Sequence, residues 1–288
     1  MKVVILCGGQ GTRMREETEF KPKPLVEIGG KPVLWHIMKL FAHHRQNDFC
    51  LALGYKGDLI KQYFLNYEPM NTDFTITLGK NSKALFHGAH TEQDMKVTLA
   101  DTGLETMTGA RVKRVAPYLD DDTFMVTYGD GVSDIDIEAL LAFHKSHGKL
   151  ATVSAHRPIS RYGVLDIDSD HRVTSFAEKP QIEGTVSMGF FVFQKKVLDY
   201  IDDDITCNLE REPLQKLARE GELMAFKHEG FFHPMDTYRD YLALNEMWEK
   251  GNAPWVKWRR SDIHQEKRRS VVPTDQKKKR ILIATRHA

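Results

Sequence analysis

Residues Lys2–Cys7 read KVVILC, and the run stops at two glycines, Gly8 and Gly9. Val3, Val4, Ile5 and Leu6 follow one another with no polar residue between them, so the strand they form has no solvent face. A strand buried on both faces needs a helical layer on each side. Its parallel neighbours are reached by long crossovers. This stretch selects an α/β sheet over a sandwich or a helical bundle.

The pattern downstream agrees. Residues 31–45 predict a helix with Pro32 in its first turn and Leu34, Ile37, Met38 and Phe41 on one stripe. Strands follow at 49–53, 73–78, 96–100 and 123–127, helices at 58–67, 108–118 and 134–147, and a loop at 79–95. Beyond Lys149 the rhythm changes. Strands are expected at 151–155, 163–167, 173–176, 186–193 and 223–228, and helices at 197–201, 209–220 and 237–250. The alternation implies a Rossmann-like, mostly parallel mixed sheet with helices on both faces. With 288 residues and no linker before residue 259, we expect one domain over 1–258. Its halves are about 1–149 and 150–258, and a flexible tail covers 259–288.

No run of about 18 apolar residues exists, so no membrane span is expected. The start MKVVILCGG lacks the shape of a signal peptide. Cys7, Cys50 and Cys207 lie far apart, which argues against a zinc site or disulfide framework and fits a reducing cytoplasm. Cys7 and Cys50 read as small buried hydrophobes. The histidines, His36, His43, His44 and His233 among them, form no recognisable ligand set, and they read as structural. His233 is the exception to watch, because it adjoins Asp236. Residues 259–288 carry ten Lys/Arg against three Asp/Glu, so the tail is basic and the body mildly acidic. A basic tail can touch nucleic acid or an anionic membrane, but a solvated extension is the simpler reading, with neither as partner.

The glycine loop after the first strand has two familiar rivals. A dinucleotide fingerprint needs G-x-G-x-x-G opening a helix, but Gly9-Gln10-Gly11-Thr12-Arg13-Met14 lacks the third glycine. A P-loop needs G-x-x-x-x-G-K-[ST], and no such string occurs. What remains is GGQGTR, a charged spacer, then KPKP. Glycines let backbone N–H groups converge on an anion. Arg13 can fork onto phosphate oxygens. Lys21 and Lys23 each precede a proline, which favours an extended segment and a fixed aim.

Other positions carry chemistry with a plainer alternative beside each. Asp130 follows the strand at 123–127, at the edge where ligands of open α/β sheets bind, and suits a magnesium ion. Asp236 is a second carboxylate candidate, or the cap of the last helix. Asp134 fits a helix cap. Glu178 and Lys179 can hold a sugar and its phosphate, or form a surface ion pair. Thr108 can cap a helix whose Arg111, Lys113 and Arg114 bind phosphate or face solvent.

GGQGTR and KPKPLVEIGGKP resemble the sugar-1-phosphate nucleotidyltransferases. LGYKGDLIKQYF, LADTGLETMTGARVKRV, TYGDGVSDIDI and HPMDT resemble the branch that transfers a cytidylyl group. The likeness spans roughly residues 1–258. It implies the nucleotide-diphospho-sugar transferase fold, closed oligomers, and CTP and glucose 1-phosphate as substrates. The products would be CDP-glucose, for surface-polysaccharide synthesis, and pyrophosphate. It also implies roles. Leu6, Gly8, Gly9, Gly11 and Thr12 would line the nucleotide, with Thr102, Gly103 and Arg111 near the base or a phosphate. Arg13 would hold the outer phosphates, Lys23 the α-phosphate and Lys179 the sugar phosphate. Gly163, Glu178 and Ser187 would meet the sugar, and Asp130 and Asp236 would hold Mg2+. One departure stands out. Relatives commonly carry Asn-Gly where this chain has Ser187-Met188, which weakens the sugar assignment. A nucleotide-sugar-binding regulator without catalysis is the alternative. An NAD-dependent dehydrogenase fails on the missing glycine.

Overall fold

The computed structural model describes residues 1–258, apart from Thr12, Arg13, residues 15–17 and 80–82, Ala89, Thr91, Gln93, Arg161 and Ile182. The basic stretch 259–288 therefore lies outside the described residues. In chain order the first half holds β1 (Lys2–Cys7), β2 (Glu27–Ile28), β3 (Lys31–Pro32), α1 (Val33–His43) and β4 (Asp48–Leu53). It continues with α2 (Gly57–Leu65), α3 (Tyr67–Asn71), β5 (Asp73–Thr77), β6 (Lys83–His87), β7 (Lys96–Asp101) and α4 (Thr108–Arg114). Then come β8 (Thr123–Tyr128), β9 (Gly131–Ser133), α5 (Ile137–His147) and β10 (Ala151–His156). The rest comprises β11 (Val164–Ile167), β12 (Val173–Ala177), β13 (Val186–Gln194), α6 (Glu212–Arg219), β14 (Leu223–His228), β15 (Phe232–Pro234) and α7 (Tyr238–Glu249).

Seven strands form the central sheet in the order β14-β10-β13-β8-β1-β4-β7. β1 runs parallel to β4 and β8, and β4 to β7. β13 is antiparallel to both β8 and β10, so it stitches the two halves of the chain into one mixed sheet. All of β1 is buried, and its side chains divide by parity. Val3, Ile5 and Cys7 join Leu34, Phe41, Leu140 and Leu244 on one face. Val4 and Leu6 join Val112 and Leu217 on the other. Helices cover both faces, as the unbroken apolar run requires. Cys7 and Cys50 are buried within these cores, and burial pushes the Cys50 thiol up to about 11.

Several expectations are corrected. β6 arises inside the span read as loop and pairs with β5 as a largely exposed hairpin. A hairpin that buries little carries only a weak period-2 signal. Lys31 and Pro32 pair with Ile28 and Glu27, so α1 starts only at Val33. Pro117 ends α4 early and opens a separate 3-10 turn, Ala116–Tyr118. Asp136, not Asp134, caps α5, accepting from Ala139 N at 2.9 Å. Asp134 instead accepts from Phe231 N at 2.7 Å and pairs with His228 at 3.0 Å.

The C-terminal segment is fastened by aromatic packing. His36 is buried and donates from Nε2 to the Ile28 carbonyl at 2.9 Å, leaving Nδ1 to accept from Trp255 Nε1 at 3.3 Å. Trp248 packs edge-on to its ring. This histidine is structural, as its sequence context implied. No helix among the described residues is long and apolar enough to cross a membrane.

Candidate active site

β1 and β8 lie side by side and end at the same edge, in Gly8 and in Gly129-Asp130. From β1 the chain steps outward to β4 and β7, then returns to β8 on the opposite flank of β1. Loops leaving two such strands diverge, which opens a crevice at the sheet's carboxyl edge. The crevice is a cleft of about 440 Å³ lined by residues 6–11, Lys23, Pro24, 104–108, Arg111, 128–130 and Asp236.

Lys23 is the centre of its charged end. Its ammonium donates to Asp130 Oδ2 at 2.7 Å and to Asp236 Oδ1 at 2.9 Å. Burial works against the charge, but the two carboxylates outweigh it and hold the ammonium above its ordinary pKa. Lys23 is not in an extended segment as expected. It opens a single 3-10 turn, Lys23–Leu25, which Val26 N closes onto the Lys23 carbonyl at 3.0 Å. The turn, not proline stiffness alone, fixes the root of the side chain.

The carboxylates sit on a clasp of backbone. β9 and β15 pair antiparallel immediately beside Asp130 and Asp236, and Met235 N donates to the Asp130 carbonyl at 2.9 Å. Asp236 does not cap α7; Thr237 does, in a reciprocal capping box with Asp240. Asp240 Oδ2 accepts from Thr237 N at 2.8 Å and from Asp236 N at 3.1 Å. Burial favours a neutral Asp240, but Thr237 and His233 hold its carboxyl below the usual range. His233 thus supports the turn through Asp240, at 3.2 Å.

Arg111 departs most from expectation. It is only 4% exposed, and its guanidinium is spent on the protein's own carbonyls. Nη1 donates to the carbonyls of Leu53 (2.9 Å) and Gly103 (2.7 Å) and to Thr102 Oγ1 (2.7 Å). Nη2 donates to the carbonyls of Gly8 (3.2 Å) and Leu104 (3.1 Å). A phosphate on Arg111 would have to break this set. Here it ties three loops together in the wall of the cleft. Thr102 and Gly103 do not line the cleft, and residues 104–108 form its surface. Arg111 does not face solvent; half-buried Lys113 donates to the Leu198 carbonyl, and Arg114 donates to that of Thr102 and pairs with exposed Asp203 at 3.5 Å. Thr108 is not a cap, because its hydroxyl joins Glu210 and Leu209 N.

The structure therefore gathers Leu6, Gly8, Gly9, Gly11, Lys23, Arg111, Asp130 and Asp236 at one cleft. Thr12, Arg13 and Arg161 lie outside the described residues. Farther along, Lys56 Nζ donates to the carbonyl of Glu19. Gly163, Glu178, Lys179 and Ser187 do not line the cleft. Lys179 is half exposed, pairs with Glu178 at 3.0 Å, and holds a left-handed φ of +48°. Gly163 lies against Phe176 and Glu178. Met188 is buried in the core at 3% exposure, with an ordinary backbone. The glycine that this segment does require is Gly189, at φ +77°, where a Cβ would fall 2.1 Å from the Tyr128 ring. Residues that the sequence reading passed over, Gln10, Glu105, Thr106, Met107 and Tyr128, all line the cleft. For Glu105, Thr106 and Met107 the signal was the DTGLETMTGARVKR stretch, whose residues 104–108 line the cleft.

The family model of the nucleotidyl transferases matches residues 2–248. The chain belongs to that family. The resemblance drawn from GGQGTR and KPKP holds, as does the fold class. A glucose-1-phosphate cytidylyltransferase of Salmonella typhi is 53% identical over 260 residues, spanning 90% of this chain and all of the relative. A Bacillus subtilis protein named "Probable glucose-1-phosphate cytidylyltransferase" is 42% identical over 258 residues, again 90% of this chain and all of the relative. Among solved structures, HddC from Yersinia pseudotuberculosis, complexed with GMP-PN, superposes with a TM-score of 0.62 at 26% identity. That match covers 86% of this chain and 99% of HddC.

Proposed function

We propose that this nucleotidyltransferase joins CTP to α-D-glucose 1-phosphate, giving CDP-glucose and pyrophosphate. The observation that carries the reading is Lys23 braced between Asp130 and Asp236 at the edge of the Gly8–Gly11 loop. The whole-length likeness to the Salmonella enzyme supports the choice of base and sugar.

The attacking group is a phosphate oxygen of the sugar, already anionic near neutral pH, so the chain need not supply a general base. Its task is to align two polyanions and offset their repulsion. The glycine loop and Arg13 would grip the β- and γ-phosphates, and Lys23 would sit on the α-phosphate, whose phosphorus is under attack. Lys179 would receive the sugar phosphate, with Glu178, Gly163 and Ser187 on the sugar. The strained backbone of Lys179 supports that role, since such conformations gather at working sites. The acidic pair fits a divalent metal: two hard oxygen donors converge on one cationic position, now held by the Lys23 ammonium. Magnesium bound there would neutralise charge on the departing pyrophosphate. We read residues 1–258 as one catalytic domain, working in the cytoplasm as a closed oligomer.

The test is pyrophosphate release with CTP, UTP, dTTP and GTP, each against several sugar 1-phosphates. CTP with glucose 1-phosphate should dominate. A preference for another triphosphate would refute the base assignment. CTP binding without turnover would support the regulator instead.

A further inference from the structure

Lys23 and a divalent cation compete for one place. The ammonium lies 2.7 Å from Asp130 Oδ2 and 2.9 Å from Asp236 Oδ1, and it is 12% exposed. A metal ligated by both carboxylates would stand about 2 Å from each oxygen. That leaves no room for the ammonium between them, and like charges at contact distance repel strongly. One of the two must leave.

Only one partner is built to move. The carboxylates are fixed through backbone: the β9–β15 pairing, Met235 N on the Asp130 carbonyl, and Asp236 N on Asp240. The lysine, by contrast, is a compact charge on a flexible four-carbon stem. Its root is fixed by the 3-10 turn and lies against the phosphate loop: a Cβ built on Gly11 would sit 3.3 Å from Lys23 Cβ. From one root, the arm can serve the carboxylates or an anion on the glycine loop.

We propose that Lys23 is a displaceable internal counter-ion. In the free protein it occupies the cation position of Asp130 and Asp236, and an arriving polyphosphate draws it away. The acidic pair then takes up metal together with nucleotide and only weakly alone. The two ligands are coupled through one side chain, and linkage makes the coupling reciprocal. Metal without nucleotide is disfavoured, which keeps the carboxylates from being sequestered before substrate arrives. The inference rests on the reading that this pair holds a divalent cation.

The test uses no substrate. Mn2+ binding to the nucleotide-free, full-length protein is followed by electron paramagnetic resonance. Lys23→Met should bind Mn2+ at least tenfold more tightly than wild type, and Asp236→Asn on that background should abolish the gain. Equal or weaker binding by Lys23→Met overturns the proposal. Pulse acetylation of the wild-type protein, read by mass spectrometry, removes any dependence on the variant folding. High Mn2+ alone should raise labelling of Lys23 severalfold relative to Lys21, and unchanged labelling also overturns it. Because turnover is not measured, a failed substrate panel would leave this exchange intact. A failed exchange would leave CDP-glucose formation standing.

Discussion

Arg111 and Gly8 are fitted to one another: the guanidinium donates to the Gly8 carbonyl at 3.2 Å, and a Cβ on Gly8 would fall 2.1 Å from Arg111 Cζ. The same guanidinium would lie 2.5 Å from a Cβ on Gly54. The first glycine of the loop is thus required by what lies behind it, a buried cation packed flat against the backbone. Glycine-loop shape and arginine position form one device, and neither has meaning without the other.

Gly8→Ala should therefore act by displacing Arg111. Overpacking and the lost Arg111 bonds to the Gly103 and Leu104 carbonyls together should cost about 3 kcal/mol. Arg111→Ala should cost a similar amount, because it leaves a cavity and takes the Arg111 donors from the Gly103 and Leu104 carbonyls, while Leu53 keeps Thr102 N and Oγ1. Placed together, the two should cost clearly less than their sum, since the alanine then has space. Urea unfolding of the four proteins measures this. Strict additivity would show that the contact does not govern the loop.

Lys23→Ala and Asp236→Ala should each lower turnover by at least about 100-fold, the scale of losing one electrostatic stabiliser at a reacting phosphorus. Asp130→Ala should do the same. Fold and thermal midpoint should change little, because all three side chains meet at the cleft and not in the core. Steady-state rates with saturating CTP and glucose 1-phosphate decide it, and near-wild-type rates would remove these residues from the chemistry.

What was legible in the sequence follows from where each residue's energy lies. The unbroken run of β1 could bury only on both faces, so the sheet and its helical layers were readable. Asp130 was readable because it follows β8 at the carboxyl edge of the sheet. The role of Arg111 was not, because five acceptors scattered from Gly8 to Leu104 leave no local pattern. The β5–β6 hairpin buries little and so has little periodicity to betray it. Asp134 looked like a cap because its chemistry suits one. A tertiary partner, Phe231 N, claimed its carboxylate instead. Ser187-Met188 looked like a damaged sugar site; Met188 lies buried in the core, with an ordinary backbone.

Asp240 links stability to the site. It closes the capping box of α7 and also holds the amide of Asp236. Asp240→Ala should cost about 1 kcal/mol as a lost cap. It should also raise the magnesium concentration giving half-maximal rate about tenfold, as loss of an outer-shell anchor does. Asp240→Asn keeps one acceptor oxygen and should recover most of the metal dependence. A magnesium titration of the initial rate checks this; an unchanged half-saturation in the alanine variant would confine Asp240 to capping.

His144 should set part of the acid sensitivity. It is buried under β10 and β13, its Nδ1 at 2.8 Å from Thr152 Oγ1 and its Nε2 at 3.0 Å from the Gln194 amide nitrogen. Burial, with the nearby His147 adding to it, pulls its pKa from 6.5 down to about 4. Above pH 6.5 the imidazole is neutral in both folded and unfolded chains, and stability does not depend on it. As pH falls below 6.5 the unfolded chain takes up a proton that the native one refuses, so stability is lost, and the loss levels off near pH 4. Between pH 7 and 4.5 the native state should lose about 2 kcal/mol through this group alone. His144→Gln, which carries no titrating proton, should show a correspondingly shallower loss of stability over that interval. Urea midpoints at the two pH values give the comparison, and parallel slopes for variant and wild type would exclude His144 as the source.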